Sequence, residues 1–394
     1  MIWSRKVMHN YSLIPLLLIM WISSSLSDVI PEQGTHEVLS EPTDNWFMNV
    51  SANGSYLFDS SNGEMLGMLA PTRGSIAVNQ SRGEVYTPES FYARKYRGKR
   101  EDVIIVHDMK TLLPLEEIDV PDKIASVFGV PVIKLLNNKK HLVVYNQVPA
   151  QSLSIVDIEN RKFVAEISTP GCAMMLPVQN SDFLMICMDG TLQMMQLDDD
   201  GQELNRVRSQ NFFSVENDAV FDRVAKTKKG WILISHSGLA YNVSVDESRI
   251  IIGEPWPLLT DQDLEEQWRP GGGSFVTTHR ELNLAYILMH QGGVDTHHEP
   301  GSEIWVFDLN KQKRIKRHSS EKISSLEQNA KDIGMKNLSG DLKKGWNNIL
   351  VLRGENPKLI ASTESGVLQV YDALEMKLER TIEEFGPQGL LFRF

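Results

Sequence analysis

A hairpin pattern that recurs seven times is the feature that most constrains the fold of this chain. In each copy an apolar run ends in aspartate and a polar turn leads into a second run, as in Tyr56-Leu-Phe-Asp59 and Ile304-Trp-Val-Phe-Asp308. Successive aspartates are 49, 49, 41, 48, 62 and 64 residues apart, which is the span of a four-stranded blade. The sequence therefore predicts an all-β, seven-bladed β-propeller.

The repeated aspartates have an ordinary structural explanation. An aspartate at a strand end accepts backbone N–H groups about two residues further on and so closes the turn. We therefore predict that they are structural rather than catalytic. The residues with this predicted turn role are Asp59, Asp108, Asp157, Asp198, Asp246, Asp308 and Asp372.

A second strand pair separates successive copies, as in residues 74–78 and 84–87 around the turn at 79–83. Two hairpins per repeat make one four-stranded sheet. The first repeat has only residues 46–50 ahead of its aspartate hairpin, whereas residues 389–394 read as a strand without a partner. We expect this C-terminal strand to pair with the first blade, because closing the ring removes exposed sheet edges.

Residues 1–27 have the pattern of a secretory signal peptide, with basic residues, an apolar run at 13–22 and small residues before Asp28. The run is too short to span a bilayer comfortably, so cleavage is favoured over an uncleaved anchor. Residues 28–394 are expected to form a single propeller domain. Residues 324–347 depart from the repeat and are predicted to be an inserted surface excursion.

Charge and cysteine content narrow the set of partners. The chain has 40 Lys and Arg against 51 Asp and Glu, and none of the acidic residues lies in 1–27, so nucleic acid and membrane surfaces are not expected partners. Cys172 and Cys187 are expected to pair in an oxidising compartment, because the stretch between them reads as two strands joined by a turn at 179–182. Two buried free thiols are the alternative.

The sequence contains no motif for self-sufficient catalysis: there is no G-x-S-x-G, no G-x-x-x-x-G-K-[ST] and no H-E-x-x-H. The segment from His290 to His298, with His279 nearby in sequence, has side chains that can bind a transition metal. A glycine-rich loop between strands explains it equally well, and we assign no metal site. The basic run 94–100 is expected to bind a carboxylate-rich partner.

Several long segments together resemble the heavy subunit of the tryptophan tryptophylquinone amine dehydrogenases. The resemblance runs from about residue 46 to residue 382 and is closer to the aromatic amine branch than to the methylamine branch. The most specific segments are 91–102, 169–172 with 183–190, 254–259 with 268–272, and 292–297 with 303–308.

This resemblance implies a periplasmic assembly of two heavy and two light subunits. The quinone, made from two cross-linked tryptophans, and the catalytic aspartate would belong to a small light subunit, so this chain would hold no cofactor and no catalytic residue. The family disulfide would map onto Cys172 and Cys187. Electrons would leave the quinone for a periplasmic copper protein or a cytochrome.

The resemblance also implies that the heavy chain forms part of the substrate channel. The residues expected at the subunit interface or channel are Phe91, Tyr92, Arg94, Trp268, Arg269, Pro270, Gly271 and Gly272. The family carries a channel-lining aromatic between its first two strands, whereas residues 49–55 here contain no aromatic side chain. The identity of the amine therefore stays open.

The predicted function is oxidative deamination of a primary amine to an aldehyde and ammonia by a heavy–light complex, which makes this chain a subunit of an oxidoreductase. One alternative is a propeller scaffold or binding protein without amine oxidation. Another is a metal-dependent hydrolase or lactonase, which depends only on the histidine-rich segment.

Overall fold

Neighbouring strands in the computed structural model join into seven antiparallel sheets, which are the blades of a seven-bladed β-propeller. The residues that the structure describes are 37–51, 54–69, 75–125, 130–319, 345–364, 366–382 and 389–394. The predicted signal peptide and most of the predicted insertion at 324–347 lie outside them. Residues Val38–Phe394 form one compact unit.

The first four blades follow the chain in order. The first blade contains β1 (Trp46–Ser51), β2 (Gly54–Asp59) and β3 (Met65–Leu69). The second contains β4 (Ala77–Asn79), β5 (Glu84–Arg94), β6 (Arg97–Asp108) and β7 (Pro114–Val120). The third contains β8 (Ile133–Leu135), β9 (His141–Asn146), β10 (Ser152–Asp157) and β11 (Lys162–Ser168). The fourth contains β12 (Cys172–Pro177), β13 (Phe183–Cys187), β14 (Leu192–Leu197) and β15 (Glu203–Arg208).

The fifth and sixth blades each add a short extra strand. The fifth contains β16 (Ala225–Lys226), β17 (Trp231–Ile234), β18 (Leu239–Asp246), β19 (Arg249–Ile252) and β20 (Trp256–Pro257). The sixth contains β21 (Trp268–Pro270), β22 (Val276–His279), β23 (Leu284–Gln291), β24 (Glu303–Asp308) and β25 (Lys313–Ser319). The seventh contains β26 (Trp346–Val351), β27 (Lys358–Thr363), β28 (Leu368–Asp372) and β29 (Leu378–Ile382), and β30 (Leu390–Arg393) follows it.

Middle strands are apolar on both faces because each blade is packed between two neighbours. β10 is buried along its whole length. Ile104 of the second blade and Leu142 and Val156 of the third belong to one apolar cluster between those blades. The outer strand β25 instead alternates exposed and half-buried residues, as expected for a strand with one face in water. The core is therefore a series of apolar clusters between blades.

The ring closes through β30, which pairs antiparallel with β1. The register places Phe47 opposite Arg393 and Val50 opposite Leu390. The first blade thus has the order β3-β2-β1-β30 and takes its innermost strand from the C-terminal end. The predicted closure of the propeller is confirmed.

The two ends of the propeller carry different loops. Because strands in a blade alternate in direction, the loop between the second and third strands lies where the inner strand begins. Cys172 begins β12, Cys187 ends β13, and the two are disulfide-bonded, which confirms the predicted pair. We call this end the disulfide face. The opposite end, with the turns that follow the seven repeated aspartates, is the aspartate face.

A short helix, α1 (Asp261–Glu265), connects the fifth and sixth blades. Its N-cap is Thr260, whose hydroxyl accepts a hydrogen bond from the backbone N–H of Asp263, while the Asp263 carboxylate accepts one from the backbone N–H of Thr260. This reciprocal capping box satisfies N–H groups that the helix leaves unpaired. In the described ranges no helix has the length and apolar character needed to cross a membrane.

Candidate functional site

The disulfide face exposes many large apolar side chains. Met188 and Val294 are 73% and 79% exposed in loops of the fourth and sixth blades. Other described residues of this face that are apolar and exposed include Phe91, Tyr96, Val148, Val215 and Leu264. The set extends from the second blade to the sixth. A partner that docked on this face would cover these side chains.

The hairpin of the second blade extends the disulfide face. β5 and β6 are 11 and 12 residues long, and Phe91 and Tyr92 lie near the tip. At its base the buried Asp102 carboxylate accepts hydrogen bonds from Arg100 Nε at 2.7 Å and from the backbone N–H of Ile124 at 2.8 Å. The guanidinium carbon of Arg100 also lies 5.9 Å from the centre of the Tyr92 ring. These contacts anchor the hairpin that presents the two aromatic residues.

The basic run 94–100 occupies the tip of this hairpin. Two of its cations are paired inside the hairpin, one with Glu101 and one with Asp102. No acidic side chain of the described residues forms an ion pair with Arg94 or Arg97. These two charges are therefore available to an acidic partner. That the basic run binds a carboxylate-rich partner stays a prediction.

Trp268 is packed in the interior beneath the surface of the disulfide face. Its ring is buried and its centre lies 5.3 Å from that of Trp305. The Arg317 guanidinium carbon lies 4.6 Å and 4.7 Å from the two ring centres. The two indole N–H groups donate to Glu266 and Glu303 at 3.0 Å and 2.6 Å. Cation–π contacts and hydrogen bonds thus fix Trp268 as a packed support.

The residues after Trp268 shape the wall of a pocket on this face. Arg269 lines the pocket, and its buried Nε has no hydrogen-bond partner among the described residues. Pro270 and the two following glycines are buried. A Cβ at Gly271 would lie 2.4 Å from His290 Cε1, and Gly272 has a φ of 118°. Only glycine allows the chain to pass here without displacing its neighbours.

Three histidines meet beside this pocket. The rings of His236 and His297 are stacked with centres 4.2 Å apart, and those of His297 and His298 are 4.1 Å apart. Burial, followed by the neighbouring His297, lowers the pKa of His236. Burial, followed by His298, lowers the pKa of His297. These two rings are therefore neutral at neutral pH and act as apolar stacking surfaces.

The other two histidines that the sequence placed nearby are separated by the fold. His290 lies near the end of β23 on the disulfide face, with Nε2 2.9 Å from Thr296 Oγ1. His279 ends β22 on the aspartate face, where Nε2 donates to the Gly354 carbonyl at 3.1 Å. In the part of the chain that the structure describes, no group of three or more His, Cys, Asp or Glu could hold a metal ion.

The repeated aspartates lie in turns of the aspartate face. Asp108 Oδ1 accepts hydrogen bonds from the backbone N–H groups of Lys110 at 3.0 Å and Thr111 at 2.7 Å. Asp246 differs, because it accepts from the Arg249 side chain at 2.9 Å. The aspartates that accept backbone N–H groups in the same way as Asp108 are Asp59, Asp157, Asp198, Asp308 and Asp372.

Comparison with known families identifies the kind of propeller. A family described as methylamine dehydrogenase heavy chain (MADH) matches residues 42–391, which include strands of all seven blades. The chain belongs to the methylamine dehydrogenase heavy chain family. The matched range contains the disulfide, the second-blade hairpin and the pocket beside Trp268.

Individual methylamine dehydrogenase heavy chains match this chain over most of its length. That of Methylobacillus flagellatus is 26% identical over 337 residues, covering 84% of this chain and 78% of that protein. Those of Methylophilus methylotrophus and Paracoccus versutus are each 26% identical, covering 84% of this chain and 77% and 73% of theirs. The similarity therefore extends over most of both molecules.

Solved structures agree on the fold. The β-propeller domain of Myceliophteria thermophila Cps50 (Swd1) superposes with a TM-score of 0.53 at 8% identity, covering 83% of this chain and 92% of that one. Dihydro-heme d1 dehydrogenase NirN superposes with a TM-score of 0.50 at 13% identity, covering 91% and 77%. At such low identities the likeness concerns the propeller architecture.

The sequence did not reveal all of the disulfide face in this member of the family. Met188 and Val294 each precede an aspartate in a glycine-containing turn, where a polar residue would be usual. That mismatch is the signal that could have found them. His236 carried no such signal, because it meets His297 only when the fifth and sixth blades pack together.

Proposed function

We propose that this chain is the non-catalytic heavy subunit of a periplasmic, quinone-dependent amine dehydrogenase with two heavy and two light subunits. The reaction converts a primary amine and water into an aldehyde and ammonia and releases two protons and two electrons. The electrons pass through a quinone on the light subunit to a copper protein or a cytochrome. The observation that carries the proposal is the family match over residues 42–391.

The residues of this chain do not fit the role of the quinone. Among its described tryptophans, Trp268 and Trp305 are the pair whose rings approach each other. Both are buried, and their indole N–H groups are bonded to Glu266 and Glu303. A pair held in this way cannot meet a substrate. We therefore assign the tryptophylquinone to the partner and a docking role to this chain.

The disulfide face is our assignment for the light-subunit interface. It combines exposed apolar residues such as Met188 and Val294 with the free charges of Arg94 and Arg97. Apolar residues at the centre and charges at the rim are the usual anatomy of an interface. The aspartate face also exposes apolar residues, among them Leu374 at 44%, so the assignment depends on the long basic hairpin that only the disulfide face carries among the described residues.

Purification from the native host tests the function. We expect a small quinone-containing chain to co-purify and the complex to oxidise a primary amine. Recovery of this chain alone, without quinone absorbance, would contradict the proposal. A stable complex that oxidises no amine would favour the scaffold alternative.

The identity of the preferred amine is tested by comparing kcat/KM of the complex for methylamine and 2-phenylethylamine. Closer kinship to the aromatic amine branch is our prediction, and it requires the larger value for 2-phenylethylamine. The segment 49–55 corresponds to the family segment that carries the channel-lining aromatic residue, so we expect it to form part of the wall of the substrate channel. Within it Ser51 Oγ donates to the Gly54 carbonyl at 3.0 Å. Residues 52–53 of this segment lie outside the described ranges.

Charged substitutions test the interface. Met188→Asp and Val294→Asp should each weaken light-subunit binding by about tenfold or more, because a carboxylate would be desolvated against an apolar partner. Leu374→Asp is the matched control on the aspartate face and should bind normally. Equal binding by all three variants, measured by calorimetry, would place the interface elsewhere.

A further inference from the structure

A narrow cavity of about 310 Å³ lies on the propeller axis, lined by inner strands of six blades. At the aspartate face these strands are tied together. Thr278 Oγ1 donates to the Lys226 carbonyl at 2.5 Å, and Arg393 donates to the carbonyls of Thr278 and Val351 at 2.7 Å and 2.8 Å. The bonds join the first, fifth, sixth and seventh blades around one opening. The channel wall is therefore held rigidly at this end.

Six of the cationic side chains that line this channel and its opening on the aspartate face come from five different blades. Arg353 and Arg393 each line two adjoining cavities, which makes the charged lining continuous. We call the six residues the channel cations. They are Lys134, Lys139, Lys226, Arg280, Arg353 and Arg393.

Carboxylates of the chain do not balance these charges. Among the described residues no acidic side chain lies within ion-pair distance of a channel cation. Asp222 and Glu281 are the acidic residues in the lining of the three cavities. Asp222 is paired with Arg223 at 2.6 Å, and the Glu281 side chain is 66% exposed. In a chain with a net charge of −11, this concentration of positive charge without a carboxylate partner is a local exception.

The channel cations and the neighbouring Arg223 disfavour one another's charged forms. Burial, followed by the charge of Arg223, lowers the pKa of Lys134 to about 8. Burial, followed by the charge of Arg280, lowers the pKa of Lys226 to about 8. Desolvation and like-charge repulsion both penalise an ammonium group. A bound anion would relieve the repulsion, so the channel has a physical reason to attract one.

We propose that the central channel binds a small oxyanion with two or more negative charges, of the phosphate or polycarboxylate class. Arginine presents a planar fork that matches two oxygens, and lysine supplies a point charge. The cavity volume is at the lower end for small-molecule sites, which suits an ion the size of pyrophosphate or citrate. This site is distinct from the amine chemistry, because an ammonium substrate is repelled by the same charges.

Calorimetric titration tests this site on the purified protein together with the chains that co-purify. Inorganic pyrophosphate and citrate are titrated separately at matched ionic strength. We expect saturable binding of one anion per chain, and the tighter probe identifies the phosphate or the carboxylate class. The double variant Lys134→Met/Lys226→Met should bind at least about tenfold more weakly. Lys162→Met, on an exposed outer strand of the third blade, should bind as the wild type does.

Folding of the double variant is checked independently. The variant relieves repulsion between cations but loses the contacts of Lys226 with Asn137 and the Trp231 ring, so its melting temperature without anion should stay close to that of the wild type. Should it unfold, Arg353→Gln at the exposed opening carries the same expectation of weaker binding. No binding of either probe, or equal binding by Lys162→Met and the channel variants, overturns the proposal. Amine oxidation and light-subunit recovery are measured separately, so the two proposals can fail independently.

Discussion

Asp157 stabilises its turn with three hydrogen bonds. Its carboxylate accepts the backbone N–H groups of Glu159 at 2.9 Å and Asn160 at 3.0 Å, and the Asn160 side-chain amide at 2.8 Å. Asp246 is exposed and its carboxylate meets only the side chain of Arg249 among the described residues. Bonds that satisfy turn backbone groups contribute more to stability than an exposed ion pair.

This difference predicts unequal effects of the same substitution. Asp157→Ala should lower the free energy of unfolding by about 1–3 kcal/mol, because turn N–H groups lose their acceptor. Asp246→Ala should change it by less than about 0.5 kcal/mol. Urea unfolding followed by circular dichroism measures both. Equal losses would mean that the ion pair to Arg249 matters as much as the backbone bonds.

The difference between these aspartates could not be predicted from the sequence. Both follow an apolar run and precede polar residues, so the acceptor role applies to both. The turn at Asp246 is tighter: Glu247 has a φ of 54°, and Asp246 pairs directly with Arg249 across the hairpin. Turn length decides which N–H groups point toward the carboxylate, and adjacent residues alone do not reveal it.

The disulfide joins two neighbouring strands of one blade. Cys172 and Cys187 face each other in the register of β12 and β13 and are 15 residues apart in sequence. Cys172→Ser should lower the free energy of unfolding by about 2–5 kcal/mol. Thermal unfolding in oxidising buffer measures the loss, and the wild type in reducing buffer serves as the control. An unchanged melting temperature in the oxidised samples would contradict this role.

Strand pairs were predictable at this scale because apolar runs alternate with turn residues. The pair predicted around residues 79–83 corresponds to β4 and β5. β20 and β21, of two and three residues, were not predicted, because so short a strand has no measurable periodicity. The length of the β5–β6 hairpin was also missed. Its polar tip pairs through backbone bonds, which the apolar pattern does not report.

Ring closure belongs to the whole molecule and can be tested in β30. Leu391 is buried and lies opposite Asn49 of β1. Leu391→Asp should lower the free energy of unfolding by roughly 3 kcal/mol or more, because an unpaired carboxylate enters an apolar cluster. Urea unfolding measures the effect, with Leu374→Asp on the surface as the control. Similar transition midpoints for the two variants would show that β30 contributes little.

The propeller could be predicted from the sequence, whereas its channel could not. The number of blades follows from a repeat, but Lys134 and Arg393 lie in the third and first blades and line one cavity only in the closed ring. The sequence does contain a weaker indication of the channel. Lys226, Arg280 and Arg353 each lie at or shortly after the end of an inner strand. Comparing equivalent positions between blades would have brought them together.

Closure through β30 also sets an order on the assembly of the ring. β30 (Leu390–Arg393) follows the other described strands of the ring in the chain, yet it pairs with β1, which precedes them. Before β30 pairs, β1 has an open edge of the kind that attracts aggregation or chaperones. A chain in which β30 does not pair with β1 would therefore keep the seam of the ring open to other chains.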